Sequence, residues 1–280
     1  MNGVDEARAG DSIRSRRARA LLTQRATRLA PLVAIASASL AFALGASHPP
    51  DRLDPAIAWC TPSPGHWLGC GEGGIDLLPL VANAELRGIA LAVGVALFGF
   101  AFGTPLGAVA ALARGRVERG VLRACDLLQA FPTFLLALAV LSAVRAPSRA
   151  HLFFVFALTA WAPFARLALV QTRVLRDQTF IEAARALGLP PVSVLRRHVL
   201  PNLLGVGAVQ LGATGAAIVV SEAALGFVGF GPRDGVSLGS VMDQGVAAML
   251  KAPHVLFVGA VAVFATSAAM MLAGRAAEAK

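Results

Sequence analysis

The sequence predicts an all-α, polytopic membrane protein with about six transmembrane helices, and three observations predict it. Of 280 residues, 56% are hydrophobic and only 15% charged, with a mean hydropathy of +0.68. A soluble domain carries roughly 25% charged residues, so the composition points to lipid as the solvent. Apolar runs near bilayer-spanning length recur along the chain, and the arginines fall between them. Lysine is almost absent, with only Lys251 and Lys280. The net charge of +9 invites a nucleic-acid partner, because basic proteins gain affinity by counterion release. Arginines scattered between apolar runs, and not gathered in one patch, argue against that and for membrane topology.

Residues 1–28 form a basic segment with seven arginines, Arg8, Arg14, Arg16, Arg17, Arg19, Arg25 and Arg28. The following apolar run, 29–46, is about 18 residues, long for a signal peptide and read as a retained first helix. A loop over 47–85, rich in proline and glycine, carries Cys60 and Cys70 with nine residues between them. In an oxidising compartment the two form a disulfide or stay unpaired, and geometry decides which. Five more spans are expected, at 86–113, 121–144, 152–172, 202–225 and 254–274, giving a five-helix core over 86–274 and a tail over 275–280. Glycine and alanine recur in them, as in "GVALFGFAFGTPLGAVAALA", which lets helices approach closely in lipid. Pro105, Pro132 and Pro163 are expected as kinks.

Orientation follows from the arginines. With an inside N-terminus, the inside segments hold the seven above, then Arg114, Arg116 and Arg119, then Arg173, Arg176, Arg185, Arg196 and Arg197, and finally Lys280. The outside segments hold only Arg52, Arg145, Arg149, Arg233 and Lys251. Both termini and the loop 173–201 are therefore expected in the cytoplasm, and 47–85 outside.

That loop contains "TFIEAARALGLPPVSVLRRHVLPN". Thr179 and Glu182 have capping-box spacing, Gly188 suits the left-handed position that ends a helix, and Pro190-Pro191 prevent continuation. A second short helix is expected from Pro191, and Pro201 fits the first turn of the fifth span. Helices of about eight residues are marginal alone in water, so they must pack on something. Ala183 and Ala184 allow close approach, and Ile181, Leu187, Val194 and Leu195 offer apolar anchors. Two readings stand: a linker on the lipid headgroups, or a docking element for a cytosolic partner.

Glu182-Ala183-Ala184, Gly188 and Leu200-Pro201 reproduce an E-A-A-x3-G-x11-L-P pattern. It resembles the signature of inner-membrane permeases of binding-protein-dependent ABC importers. "LLQAFPTFLLALAV", "LTAWAPFARLALVQTRVLRDQTFIEAARALG", "RRHVLPN", "SEAALGFVGFG" and "SLGSVMDQG" are similar to the dipeptide/oligopeptide/nickel branch, specifically its C-type subunit, over about residues 69–250. Departures from the branch are Gly74-Ile75-Asp76 before the second span and the ending "MMLAGRAAEAK". The resemblance implies a type I, MetI-like permease fold and a bacterial inner-membrane location. It also implies a homologous second permease, two cytosolic ABC ATPases and an extracytoplasmic solute-binding protein as partners. Glu182, Ala183, Ala184, Gly188, Leu195, Arg196, Arg197, Leu200 and Pro201 become candidates for ATPase coupling, with Glu182 alternatively serving only the capping box. Peptides are the implied cargo, with nickel as the variant within the branch.

No nucleotide site is expected in the chain, since the phosphate cradle needs a glycine-lysine step and neither lysine follows a glycine. Glu222, late in the fifth span, is a candidate pathway or gating residue, because carboxylates there are costly and often functional. Its alternatives are bonding the following turn or simple solvation near the outer surface. Arg166 is expected to snorkel to the headgroups. The histidines, His48, His66, His151, His198 and His254, show no ligand spacing, although His48 and His66 share a loop with the cysteines. No cofactor, metal or catalytic constellation is expected, so the chain reads as a transport subunit and not an enzyme. An ion-coupled secondary transporter is the rival class, but it calls for internal repeats, and none is visible.

Overall fold

The computed structural model describes residues 27–42 and 53–276. The arginines from Arg8 to Arg25, Arg52, His48 and Lys280 lie outside the described residues. Among those described the chain is helical, with two isolated bridges and no strand. The helices are α1 (Thr27–Phe42), α2 (Leu77–Ala113), α3 (Gly115–Ala130), α4 (Thr133–Ser142), α5 (Arg149–Arg176) and α6 (Thr179–Ala186). They continue with α7 (Pro191–Val194), α8 (Leu200–Phe227), α9 (Leu238–Ala247) and α10 (Pro253–Ala276). Among the described residues, four helical stretches are long and apolar enough to cross a membrane, or five if the bent pair α3–α4 is one span, and α1 is a shorter apolar helix.

Several boundaries differ from the sequence expectation for identifiable reasons. α2 starts at Leu77, not 86, because the Asp76 carboxylate accepts the Leu78 amide at 3.0 Å and caps it. The polar residues that follow are helical: Asn83 donates to Pro79 O at 2.9 Å. The expected third span, 121–144, is broken. Phe131 is extended (φ −94°, ψ 127°) as pre-proline residues tend to be, Pro132 has no amide to continue the ladder, and α4 leaves at 70° to α3. Pro105 and Pro163 stay inside α2 and α5.

The bundle is organised around α2, which lies against α5 along a stripe of glycines. A Cβ at Gly103 would stand 2.3 Å from Trp161 O, and one at Gly107 2.0 Å from Ala165 O. Only hydrogen fits there, so the two backbones touch, and this close packing replaces the hydrophobic driving force that lipid removes.

At one end of the bundle, residues 53–76 fold into a cap with two 3-10 turns, Pro55–Ile57 and Glu72–Gly74, and a disulfide joining Cys60 and Cys70. Trp59, Leu68 and Ile75 of the cap pack on Leu77, Leu80, Val241 and Val255 of α2, α9 and α10. At the opposite end, the Glu118 carboxylate accepts Arg173 Nε at 2.5 Å and lies 3.6 Å from Arg176 Nη1. Arg176 also donates to Ala111 O at 2.6 Å. One cluster thus ties together the ends of α2, α3 and α5.

A polar clasp that the sequence reading missed fixes α1. The buried Glu85 accepts Ser39 Oγ of α1 at 2.6 Å and Thr266 Oγ1 of α10 at 2.5 Å. Both carboxylate oxygens are satisfied, as a buried polar group requires. Replacing Glu85 with alanine strands two buried hydroxyls, each costing about 1–3 kcal/mol. The expected result is a lower melting temperature of the detergent-solubilised protein, with Glu85→Gln falling between alanine and wild type.

Candidate coupling surface and pathway cleft

The loop after α5 is built from its backbone outward. Gln178, not Thr179, is the cap of α6: its carbonyl accepts the amides of Ile181 and Glu182 at 3.0 and 3.2 Å, with no side-chain cap bond. Thr179 is the first helical residue, and the expected Thr179–Glu182 capping box does not form. The Glu182 side chain is left exposed. α6 ends in a Schellman pair, Leu189 N to Ala184 O at 3.1 Å and Gly188 N to Arg185 O at 2.9 Å. Gly188 takes φ +80°, and open space surrounds its Cβ direction, so its constraint is conformational and not steric.

Pro191 opens α7 as expected. The second short helix is not separate, however. A π-helical turn, Leu195–Val199, joins α7 to α8, so that Pro191–Phe227 runs as one 37-residue helix. The Leu200 amide reaches back to Leu195 O. Widening the turn just before Pro201, which lacks a donor and crowds the carbonyl four residues back, lets the helix continue through it.

The loop has two faces. Ile181, Ala184, Val194 and Val199 are buried against Ala108, Ala168 and Leu203, with Leu195 and Leu200 at the margin of this cluster. Burial of that face supplies what a helix of this length lacks alone. Glu182, Ala183, Arg185, Gly188, Arg196, Arg197 and Pro201 point outward. So does Leu187, expected as an anchor, which is 81% exposed beside exposed Phe180 and Val192. Apolar side chains gathered among charges on a surface mark an interaction site.

A cleft of about 430 Å³ opens where α3 breaks into α4, against the Pro163 turn of α5 and the middle of α8. Gln129, Thr133, Thr159, Gln210, Thr214 and Ser221 place neutral polar groups in a lining that is otherwise apolar, with Leu128, Phe131, Ala160, Ala213 and Ile218. Sequence reasoning missed it, because these residues come from four helices and no single segment shows a motif.

Arg166 does not snorkel as expected. It pairs with Asp126 of α3, on the turn next to the cleft. Glu222 is buried, at 5% exposure, which removes the solvated reading. A Cβ on Gly88 would lie 3.0 Å from Glu222 Oε2, and Oε1 has no hydrogen-bond partner. Nearby, Arg149 donates to Val236 O at 3.0 Å and sits 3.8 Å from Asp234. This holds the α8–α9 loop to the start of α5. In the cap, His66 contacts Asp76 at 3.0 Å. It also lies close to Cys60 and Cys70, but sulfurs bonded to each other offer no thiolate to a metal.

Residues 103–279 match the family described as the binding-protein-dependent transport system inner membrane component. The chain belongs to that family. It is a permease subunit of an ABC importer, a multi-pass inner-membrane transport component and not an enzyme. The glutathione transport system permease protein GsiD of Pectobacterium atrosepticum is 32% identical over 214 residues, covering 76% of this permease and 71% of the relative. GsiD of Shigella dysenteriae is 36% identical over 214 residues, covering 76% and 70%. The MetNI methionine ABC transporter in inward-facing conformations shares the fold at 20% and 21% identity in two crystal forms. TM-scores are 0.56 and 0.53, over 71% and 68% of this permease and 96% and 97% of the other chain.

The turn at Gly188 yields a direct test. A β-branched residue in the left-handed region costs roughly 1–2 kcal/mol, enough to unwind the end of α6 without touching the spans. Gly188→Val is expected to insert and assemble normally but to lower uptake, whereas Gly188→Asn retains most of it. Normal uptake by the valine variant would exclude a coupling role for the break.

Proposed function

We propose that this permease forms one half of a transmembrane pathway for peptides. Its α6–α7 loop would be seated in a groove of a cytosolic ATPase. The other half is a homologous second permease, two ATPases complete the cytosolic side, and a binding protein delivers solute from outside. The cargo assignment draws on the glutathione importers among its relatives, glutathione being a tripeptide. The orientation draws on the arginine distribution: the loop end of the bundle faces the cytoplasm, as do both termini, and the disulfide-bearing cap faces out.

The observation that carries the reading is the division of the loop into a buried and an exposed face. Through the inner face, held by Ile181, Ala184, Val194 and Val199, a push on the outer face reaches α2, α5 and α8 as a rigid-body shift. Glu182, Ala183, Gly188, Arg196, Arg197 and Pro201 are the proposed contacts, joined by Phe180, Leu187 and Val192. Ala184, Leu195 and Leu200 transmit the load from within. Co-purification of the ATPase should fall when Leu187 and Val192 are both changed to serine. Uptake should stop on ATP depletion with the ion gradient intact; uptake that persists would instead indicate an ion-coupled carrier.

Glu222 is proposed to act in gating. A buried carboxylate with one oxygen unpaired, beside the Arg149–Asp234 contact, has a bond left to make in another conformation. Glu222→Gln is expected to preserve assembly and slow uptake several-fold, since the amide offers one acceptor oxygen where the carboxyl group has two. Unchanged transport would leave Glu222 as packing.

A further inference from the structure

Charges inside a span need an account. Arg166 lies ten residues before the end of α5 at Arg176, about 15 Å into the bundle at 1.5 Å per residue. In the described chain its side chain is 39% exposed and that of its partner Asp126 is 62% exposed. Arg166 Nε is buried and has no acceptor. Ionisable groups at such depth face a protein neighbour or water, not lipid. α10 by contrast exposes Phe257, Val261, Phe264, Met271 and Leu272, which suit lipid, and its exposed arginine, Arg275, lies in the last turn.

The pair also has a neighbour that explains it. Leu128 and Gln129, the next turn of α3, and Pro163, one turn before Arg166, line the 430 Å³ cleft. Between mostly apolar walls, Gln129, Thr133, Thr159, Gln210, Thr214 and Ser221 are its neutral polar groups; Thr159 and Ser221 donate to Phe156 O and Ala217 O, which leaves their oxygens as acceptors. Such groups can bond peptide amides but bear no charge for the ionised groups of a solute. Asp126 and Arg166 carry one negative and one positive group, each about one helical turn from a lining residue, Gln129 and Pro163 respectively. An exposed ion pair is weakly held, so it opens readily, as a site of transit requires.

We infer that Asp126 and Arg166 line the aqueous path and exchange partners with the ionised groups of a passing solute, side-chain charges included, ammonium groups passing to Asp126 and carboxylates to Arg166. The inference rests on the peptide reading above for its ligand, and its test separates the two.

The assembled importer is studied in membranes with Asp126→Cys in a Cys125→Ala background. The new thiol is expected to react with both an anionic sulfonatoethyl and a cationic trimethylammonioethyl methanethiosulfonate. The anionic reagent should be faster by on the order of tenfold, because the unpaired guanidinium concentrates it. Adding Arg166→Gln should erase that preference. No reaction, or equal rates with Arg166 present, would overturn the inference. In a second arm, uptake of Ala-Lys-Ala and Ala-Glu-Ala is compared for wild type, Asp126→Asn and Arg166→Gln. The binding protein is the same throughout, so its own selectivity cancels in the ratio. Asp126→Asn should disfavour the lysine peptide and Arg166→Gln the glutamate peptide. An equal fall for both peptides with a lower melting temperature would reduce the pair to a strut between α3 and α5. If wild type imports neither peptide while the thiol preference holds, the cargo reading fails and the charge-selective site stands.

Discussion

The contact between α2 and α5 sets the position of everything else in this permease. At Gly103 and Gly107 the helices meet backbone to backbone, a distance that no side chain permits. In lipid, where apolar surfaces gain nothing by leaving one another's company for solvent, such dispersion-rich contact is the main cohesive force available. α3 turns back from the end of α2 at Arg114 and Gly115, both with positive φ, and lies in the angle between α2 and α5. α8 and α10 close the other side through a second near-contact, with a Cβ at Gly212 standing 2.5 Å from Met270 O. The cleft, the loop and the cap are all placed by this frame.

Polar groups are then used sparingly, each where apolar packing cannot specify a partner. Glu85 fixes α1 through hydroxyls on α1 and α10. Glu118 joins the ends of α3 and α5, and Arg149 holds the loop after α8. Glu85 has both carboxylate oxygens engaged, whereas Glu222 and Arg166, like Arg149 and Arg176, each retain a buried atom without a hydrogen-bond partner. Because buried polar atoms are nearly always satisfied, the incomplete ones are where a second arrangement of the protein, or a solute, is to be sought.

The course of the backbone was legible wherever one residue type dictates local geometry. Gly188 ends α6 in the left-handed region and Pro191 starts α7, as their side-chain chemistry requires. Apolar run length located the helices of the expected spans but misjudged their ends. Asp76 begins α2 inside what looked like loop, and Pro132 breaks a run that hydropathy alone treats as continuous. Helix joining was invisible for a different reason: the π turn before Pro201 is a compromise between neighbouring residues and leaves no compositional trace. The Asp126–Arg166 pair and the Glu85 clasp depend on which helix faces which, information that a linear pattern of polar and apolar residues does not carry. The same limit hid the cleft, whose lining comes from α3, α4, α5 and α8.

Joining α7 to α8 through the π turn makes Pro191–Phe227 one continuous helix of 37 residues, about 55 Å along its axis at 1.5 Å per residue. Its foot carries Arg196 and Arg197, its middle supplies Gln210 and Thr214 to the cleft, and its head bears Glu222. Tilting the foot by about 5° would sweep the head through roughly 5 Å at that length, about the width of an extended peptide backbone. The foot, the cleft wall and the buried carboxylate share one lever, and no relay of intermediate parts is needed to connect them.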